Sequence, residues 1–346
     1  MSTLDAADAG QMTEMRRPNL ARYRNLVVIP VVLTAAAMMI AAIANGYWIS
    51  TLTSAAAIGL AASGVGLLYG QLGLVSLCQY SLLGVGGWVA LRLSFTFHLP
   101  FEINLIAAGV ASSVVGVLCG LPALRLRGLY LALVTLMLAG GFQVVINAWG
   151  FPDGGTGFLG RADATQRLMM TRPSAAPTNA AYFIYEMVVL ALGLMLVEWH
   201  RRTKPGRAWA LIRAGETTAL AAGVNLLLYK TWAFALAGFL AGIAGALLAG
   251  GVGQLDGRAF PASESLSLFA LTIVGGVYSW IGSVITGLLL RAVPSLLTDY
   301  GVDGNLAMAF FGAALLHALI TAPSGVAGQI IALAERLMRL VTRTRP

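Results

Sequence analysis

Apolar residues come in long runs along this chain, separated by short polar or glycine-rich stretches. A membrane span needs about 20 mostly apolar residues. Runs of that kind lie near 26–44, 49–69, 76–95, 102–121, 129–149, 182–199, 231–250, 264–280, 281–298 and 305–322. The pattern predicts an all-α, polytopic membrane protein of about ten transmembrane helices, with a range of 8–11. The stretch 264–298 is the weakest, because Gly275-Gly276 and Gly282 would also suit two short or broken helices. The first run follows basic residues and precedes Ala42-Ile43-Ala44, but it is longer than the apolar part of a usual signal peptide, so it is taken as a retained span.

Composition agrees. Of 346 residues 58% are hydrophobic and 10% charged, against roughly a quarter charged in soluble domains. A soluble enzyme is thereby disfavoured. The 41 glycines exceed the usual share of about 7% and suit helices packed backbone to backbone. The net charge of +8 does not point to nucleic acid, because the basic residues sit at the ends of apolar runs. With the N-terminus inside, 16 of the 22 Lys and Arg fall on the cytoplasmic side, in groups at 16–24, 125–127, 201–230 and 336–345. An even number of spans puts both termini there. Cys78 and Cys119 lie inside apolar runs and form no disulfide framework.

The domains follow. Residues 1–25 are a cytoplasmic disordered tail, 26–322 the transmembrane domain, and 323–346 a basic amphipathic cytoplasmic tail with Ile330, Leu333, Leu337 and Leu340 on one face. Residues 150–181 form an external loop in which Gly154, Gly155, Thr156 and Gly157 permit close approach to a ligand, a gate, or simply a mobile connector. Residues 200–230 form a cytoplasmic segment. Its Trp209, Ile212, Leu220 and Val224 have helical spacing, Glu216 suits the start of a second short helix, and Gly223 suits a left-handed end. Such a helix pair either docks into a partner's groove or lies on the membrane surface.

Little else in the chain suggests chemistry. No phosphate-binding loop, nucleophile elbow or metal-ligand spacing is present, so no catalytic residue, metal or cofactor is expected. The acids Glu102, Glu186, Glu198, Glu264 and Asp299 lie at span edges, which disfavours a self-sufficient ion-coupled carrier or channel. Arg291, about ten residues into a span, is the exception. In the third span Ser76, Gln79 and Ser81, and in the fifth Gln143 and Asn147, can hydrogen-bond either a translocated solute or a neighbouring helix. The small residues Gly238, Gly242, Ala246 and Gly250, with Ala237, Ala241, Gly245 and Ala249, suit close helix packing.

Three groups of residues carry a family resemblance. Arg125 to Leu136 (RLRGLYLALVTL), the run Gly206-Arg207-Ala208, Ile212-Arg213, Glu216, Ala219, Ala222-Gly223-Val224-Asn225, Tyr229-Lys230 and Ala233-Phe234, and the signature Gly275-Gly276, Ser279 and Gly282 resemble the permeases of branched-chain amino acid ABC importers. The likeness runs from about 50 to 325 in consistent order. It implies a permease subunit, not an enzyme, in the bacterial inner membrane. A second homologous permease, two ABC ATPase subunits, a periplasmic solute-binding protein and membrane lipid would be its partners. The solute would be a branched-chain or related small amino acid, or urea, a short amide or an aromatic acid. It also implies that Gly206, Arg207, Arg213, Glu216, Ala219, Ala222, Gly223 and Asn225 belong to the segment that couples ATPase closure to the spans. The chain departs from the family where Cys78-Gln79 replaces a common Gly-His, Tyr278-Ser279 a common Gly-Ser, and Ser283 a proline.

Overall fold

The computed structural model describes residues 20–124, 126, 128–162, 167–301, 306, 312–313, 316 and 325–333. Every regular element among them is helical. In order these are α1 (Leu20–Ile43), α2 (Gly46–Leu72), α3 (Gln79–Phe97), α4 (Phe101–Gly120), α5 (Leu129–Trp149), α6 (Asn179–Arg202), α7 (Lys204–Ala214), α8 (Glu216–Ala221), α9 (Leu226–Val252), α10 (Ala262–Gly275), α11 (Trp280–Gly287) and α12 (Val293–Asp299). A π-helical turn, Leu288–Ala292, joins the last two. Lipid offers no partner to an open backbone, so spans close their hydrogen bonds within helices. Side chains finish several ends: Asn45 caps α2, Thr178 caps α6, Asn225 caps α9 and Ser279 caps α11.

Seven helical runs among the described residues are long and apolar enough to cross a membrane: Asn25–Ile43, α2, α4, α5, α6, α9 and Trp280–Asp299. Two of the expected spans are built differently. The run at 76–95 starts as a helix only at Gln79; residues 73–78 are non-helical and largely buried, so Ser76 is not on a helix as expected. Gly73, at φ 71°, ends α2, and the chain turns back inside the protein, where irregular backbone is tolerated at membrane depth. Here the Leu77 amide donates to Thr135 Oγ1 at 2.9 Å. The run at 264–280 ends at Gly275 after only 14 helical residues. The expected span at 305–322 lies almost wholly outside the described residues, as do Arg125 and Arg127, most of the N-terminal tail and the end of the C-terminal one; 325–333 is helical.

Helices α2 and α9 form the centre, and α9 packs against α4, α3 and α2. The small residues of α9 make this possible. A Cβ on Gly245 would lie 1.9 Å from the Leu83 carbonyl oxygen, and one on Gly86 2.3 Å from that of Gly242. The expected packing role of the stripe is therefore observed. Glu186 departs from the span-edge expectation. It is fully buried in α6, which packs against α2, and among the described residues neither carboxylate oxygen has a hydrogen-bond partner. Only the helix pairing reveals that this position faces inward.

The bundle has two distinct ends. At one, α7 and α8 lie against the C-terminus of α2 and the non-helical turn 276–279. At the other, residues 167–178 cover the end of α9: Arg172 Nη2 donates to Gly251 O at 3.0 Å, the Met170 amide to Gly253 O at 2.8 Å, and Gln254 Nε2 to Leu168 O at 2.9 Å.

Candidate functional site

The helix pair at 204–221 follows the sequence expectation closely. Pro205 occupies the first turn of α7, where a missing amide costs nothing. Gly215 separates α7 from α8, and Glu216 stands in the first turn of α8. Gly223, at φ 77°, closes it, with its own amide on Leu220 O and the Val224 amide on Ala219 O, both at 2.9 Å. Gly206 and Ala219 are buried inside the pair, while Arg207, Ala222, Gly223 and Asn225 are exposed.

Three contacts fasten this pair to the bundle. Trp209 is fully buried and its Nε1 donates to Tyr229 O at 2.9 Å, at the start of α9. Glu216 pairs with Lys230 at 2.8 Å, and Lys230 is only 2% exposed. Arg213 donates to Gly70 O at the end of α2 and to Tyr278 Oη at 2.7 Å, and its guanidinium lies 5.2 Å from the Tyr278 ring centroid. The pair is thus tied to α9, to α2 and to the turn between α10 and α11. A movement of α7–α8 would be passed to all three. Tyr278→Gly, which restores the residue common in similar permeases, is expected to weaken this tie by about 0.5–1 kcal/mol. Local opening of α7–α8, read as proteolytic cleavage of the pair, should then rise about two- to fivefold with unchanged amounts of protein in the membrane, as quantified by immunoblot.

The candidate pathway residues do not converge on one polar lining. Gln79 Nε2 donates to Ala237 O at 2.6 Å, and its Oε1 is buried without a partner among the described residues. Ser76 Oγ lies 3.4 Å from Cys78 Sγ, and Ser81 is buried. Gln143 Oε1 accepts from the Ala262 amide at 2.9 Å and so caps α10. Both glutamines bond neighbouring backbone, one of the two roles open to them. Asn147 is exposed and lines a cavity of about 780 Å³ at the other end of the bundle, together with Phe151, Asp153, Arg161 and Arg258. Gly154, Gly155, Thr156 and Gly157 form a tight turn beside it, in which the amides of Asp153 and Gly155 both donate to Gly160 O at 2.9 Å. Gly154 and Gly157 have φ of 104° and 78°, the region that favours glycine.

Sequence reasoning alone gave Lys230 and Tyr278 no physical role. Lys230 carried a signal nonetheless, as one of only two lysines and at the head of an apolar run. Tyr278 carried none beyond its departure from the family pattern.

A helical bundle with seven membrane-length apolar helices among the described residues, and a basic helix pair docked on one end, is the build of a polytopic membrane protein. The family described as "Branched-chain amino acid transport system / permease component" matches residues 47–319, and the chain belongs to it. Like other permeases of ABC importers, it lies in the inner membrane. It is 26% identical over 284 residues to the high-affinity branched-chain amino acid transport system permease protein LivM of Salmonella typhimurium, and 25% identical to LivM of Escherichia coli. Each alignment covers 76% of this chain and 66% of the relative, just under two thirds of its length. The probable branched-chain amino acid transport permease protein LivH of Methanocaldococcus jannaschii is 25% identical over 78% of this chain and 88% of its own. No solved structure matches the chain.

Proposed function

We propose that the chain is the translocating permease subunit of an ATP-driven importer for branched-chain or related small amino acids. It works with a second permease subunit, two ATPase subunits and a periplasmic solute-binding protein. Urea, short amides and aromatic acids are the neighbouring solute classes. The observation that carries this is the anchoring of α7–α8, with Glu216 on Lys230 of α9 and Arg213 on both the end of α2 and the turn 276–279. Gly206, Arg207, Arg213, Glu216, Ala219, Ala222, Gly223 and Asn225 form this coupling segment, whose exposed face meets the ATPases.

On this proposal the end bearing α7–α8 is cytoplasmic. Six basic residues between 201 and 230 support that side, as positive charge is retained inside. Ten spans then run from an N-terminal tail at 1–25 through 26–322 to a cytoplasmic tail at 323–346, with α3, α10 and 305–322 completing the count. The cavity and the turn at Gly154–Gly157 face outward, toward the binding protein. Solute binding, ATPase closure and release bias two conformations of one pathway.

Reconstitution into proteoliposomes tests the proposal. Uptake of leucine should require ATP, both ATPases, the second permease and the binding protein. Uptake driven by an ion gradient through this chain alone would overturn it.

A further inference from the structure

Inside the bundle, Arg291 is a cation with no ion pair among the described residues. It stands on the π-helical turn Leu288–Ala292, midway along the membrane-length run Trp280–Asp299. Its Nη2 donates to Tyr80 Oη at 2.7 Å, while its Nε is buried and has no hydrogen-bond partner among the described residues. A guanidinium at this depth is costly unless an anion pairs with it, and such residues mark solute pathways. Single π-helical turns inside helices also concentrate at functional sites.

A line of aromatic rings connects Arg291 to the outer cavity. The Tyr80 ring centroid lies 5.6 Å from that of Phe260, and Phe260 lies 5.1 Å from Phe151. Phe151 in turn lines the cavity of about 780 Å³. Tyr80 and Arg291 therefore sit beneath that cavity, separated from it by two phenylalanines. Glu264, four residues after Phe260, stands in the first turn of α10.

We propose that Arg291, held by Tyr80, receives the carboxylate of the translocated solute, and that Phe151 and Phe260 close this site from the outer cavity. The proposal rests on the transport function above and names the group by which the solute is held. Tyr80 occupies only one of the five N–H donors of the guanidinium, whose planar fork matches a carboxylate. Glu264 gives the same region a negative charge suited to the ammonium group of an amino acid. No covalent step is involved. Tyr80 is a positioning residue; Arg291 is the one that touches the solute.

Two measurements on the purified complex with all its subunits test this. In the first, thermal stability is followed with leucine, phenylalanine and benzoate, and with leucinamide and benzamide as neutral counterparts. At least one carboxylate should raise Tm of the wild type while its amide does not, and Arg291→Gln should abolish the shift. Equal shifts from acid and amide, no shift from any carboxylate, or a shift retained in Arg291→Gln would overturn the site. In the second, uptake and ATP hydrolysis are measured together in proteoliposomes. Arg291→Gln should lower the solute moved per ATP at least tenfold, Arg291→Lys should recover part, and Tyr80→Phe should lose about threefold. A fall of uptake and hydrolysis in equal proportion would assign Arg291 to assembly, against a lipid phosphate or an acidic group of the second permease, and overturn the proposal. Carboxylate stabilisation without any ATP-dependent import by the wild type would instead overturn the transport function and leave the site standing.

Discussion

Replacing Glu216 by lysine is expected to remove more than nine-tenths of solute uptake while the protein still inserts in the membrane. The variant places two ammonium groups together at a position where Lys230 is 2% exposed. Losing one partner of a buried ion pair costs about 3–5 kcal/mol, and here a second positive charge is brought against Lys230 as well. The pair joins α8 to the base of α9, and α9 is the helix on which α2, α3 and α4 pack. ATP hydrolysis by the assembled complex should persist, no longer matched by transport. The reciprocal variant, Glu216→Lys with Lys230→Glu, should regain part of the uptake, since it restores opposite charges at the same two positions. A Glu216→Lys complex with normal uptake would deny this pair any coupling role. Gly223→Asp acts on the same unit through backbone. At φ 77° a side chain is strained, at a cost of about 1 kcal/mol, and the exposed end of α8 gains a negative charge. A smaller but parallel loss of uptake per ATP is expected.

Gly245→Leu should produce the second large effect, on assembly rather than coupling. A Cβ at this position would lie 1.9 Å from Leu83 O and 2.6 Å from the Gly87 amide nitrogen, both backbone atoms that cannot swing aside. Overpacking a close-fitted core costs about 1–3 kcal/mol where side chains can adjust. Here α3 and α9 must separate. The buried bond from Gln79 to Ala237 O would then be lost too. The amount of folded permease in the membrane should fall several-fold, as losses of this size do in cells. Gly140→Leu on α5 is the matched control, since no atom of the described residues lies within 4 Å of a Cβ there. Equal abundance of the two variants would show that close approach of α3 and α9 is not needed.

The helix pair α7–α8 was the most legible part of the molecule. Its instructions are local: Glu216 starts the second short helix and Gly223 ends it, as the structure has them, although the first helix begins at Lys204, ahead of the apolar spacing that marked it. The long apolar runs were equally plain, because a lipid-crossing helix needs only length and composition, and 129–149 coincides with α5 at both ends. Less legible were segments whose form depends on what surrounds them. Ser76 reads as part of a span, yet the stretch 73–78 leaves the helix, with the Leu77 amide held by Thr135 of α5, a partner 58 residues away in the chain. Glu186 reads as an edge residue by its place in the run. Its burial follows from the pairing of α6 with α2.

The amino-acid sequence by itself determined the class of this protein, its all-helical spans, the helix pair between α6 and α9, and the family resemblance. Each depends on residues close together in the chain, or on composition. Only the tertiary structure decided which charges and polar groups meet. Glu216 and Lys230 are 14 residues apart, Arg213 and Tyr278 65, and Tyr80 and Arg291 211. No local rule specifies such partners. They are fixed by small residues such as Gly86, Gly242 and Gly245, which bring helix backbones together and thereby set the depth at which each polar side chain finds, or lacks, a partner.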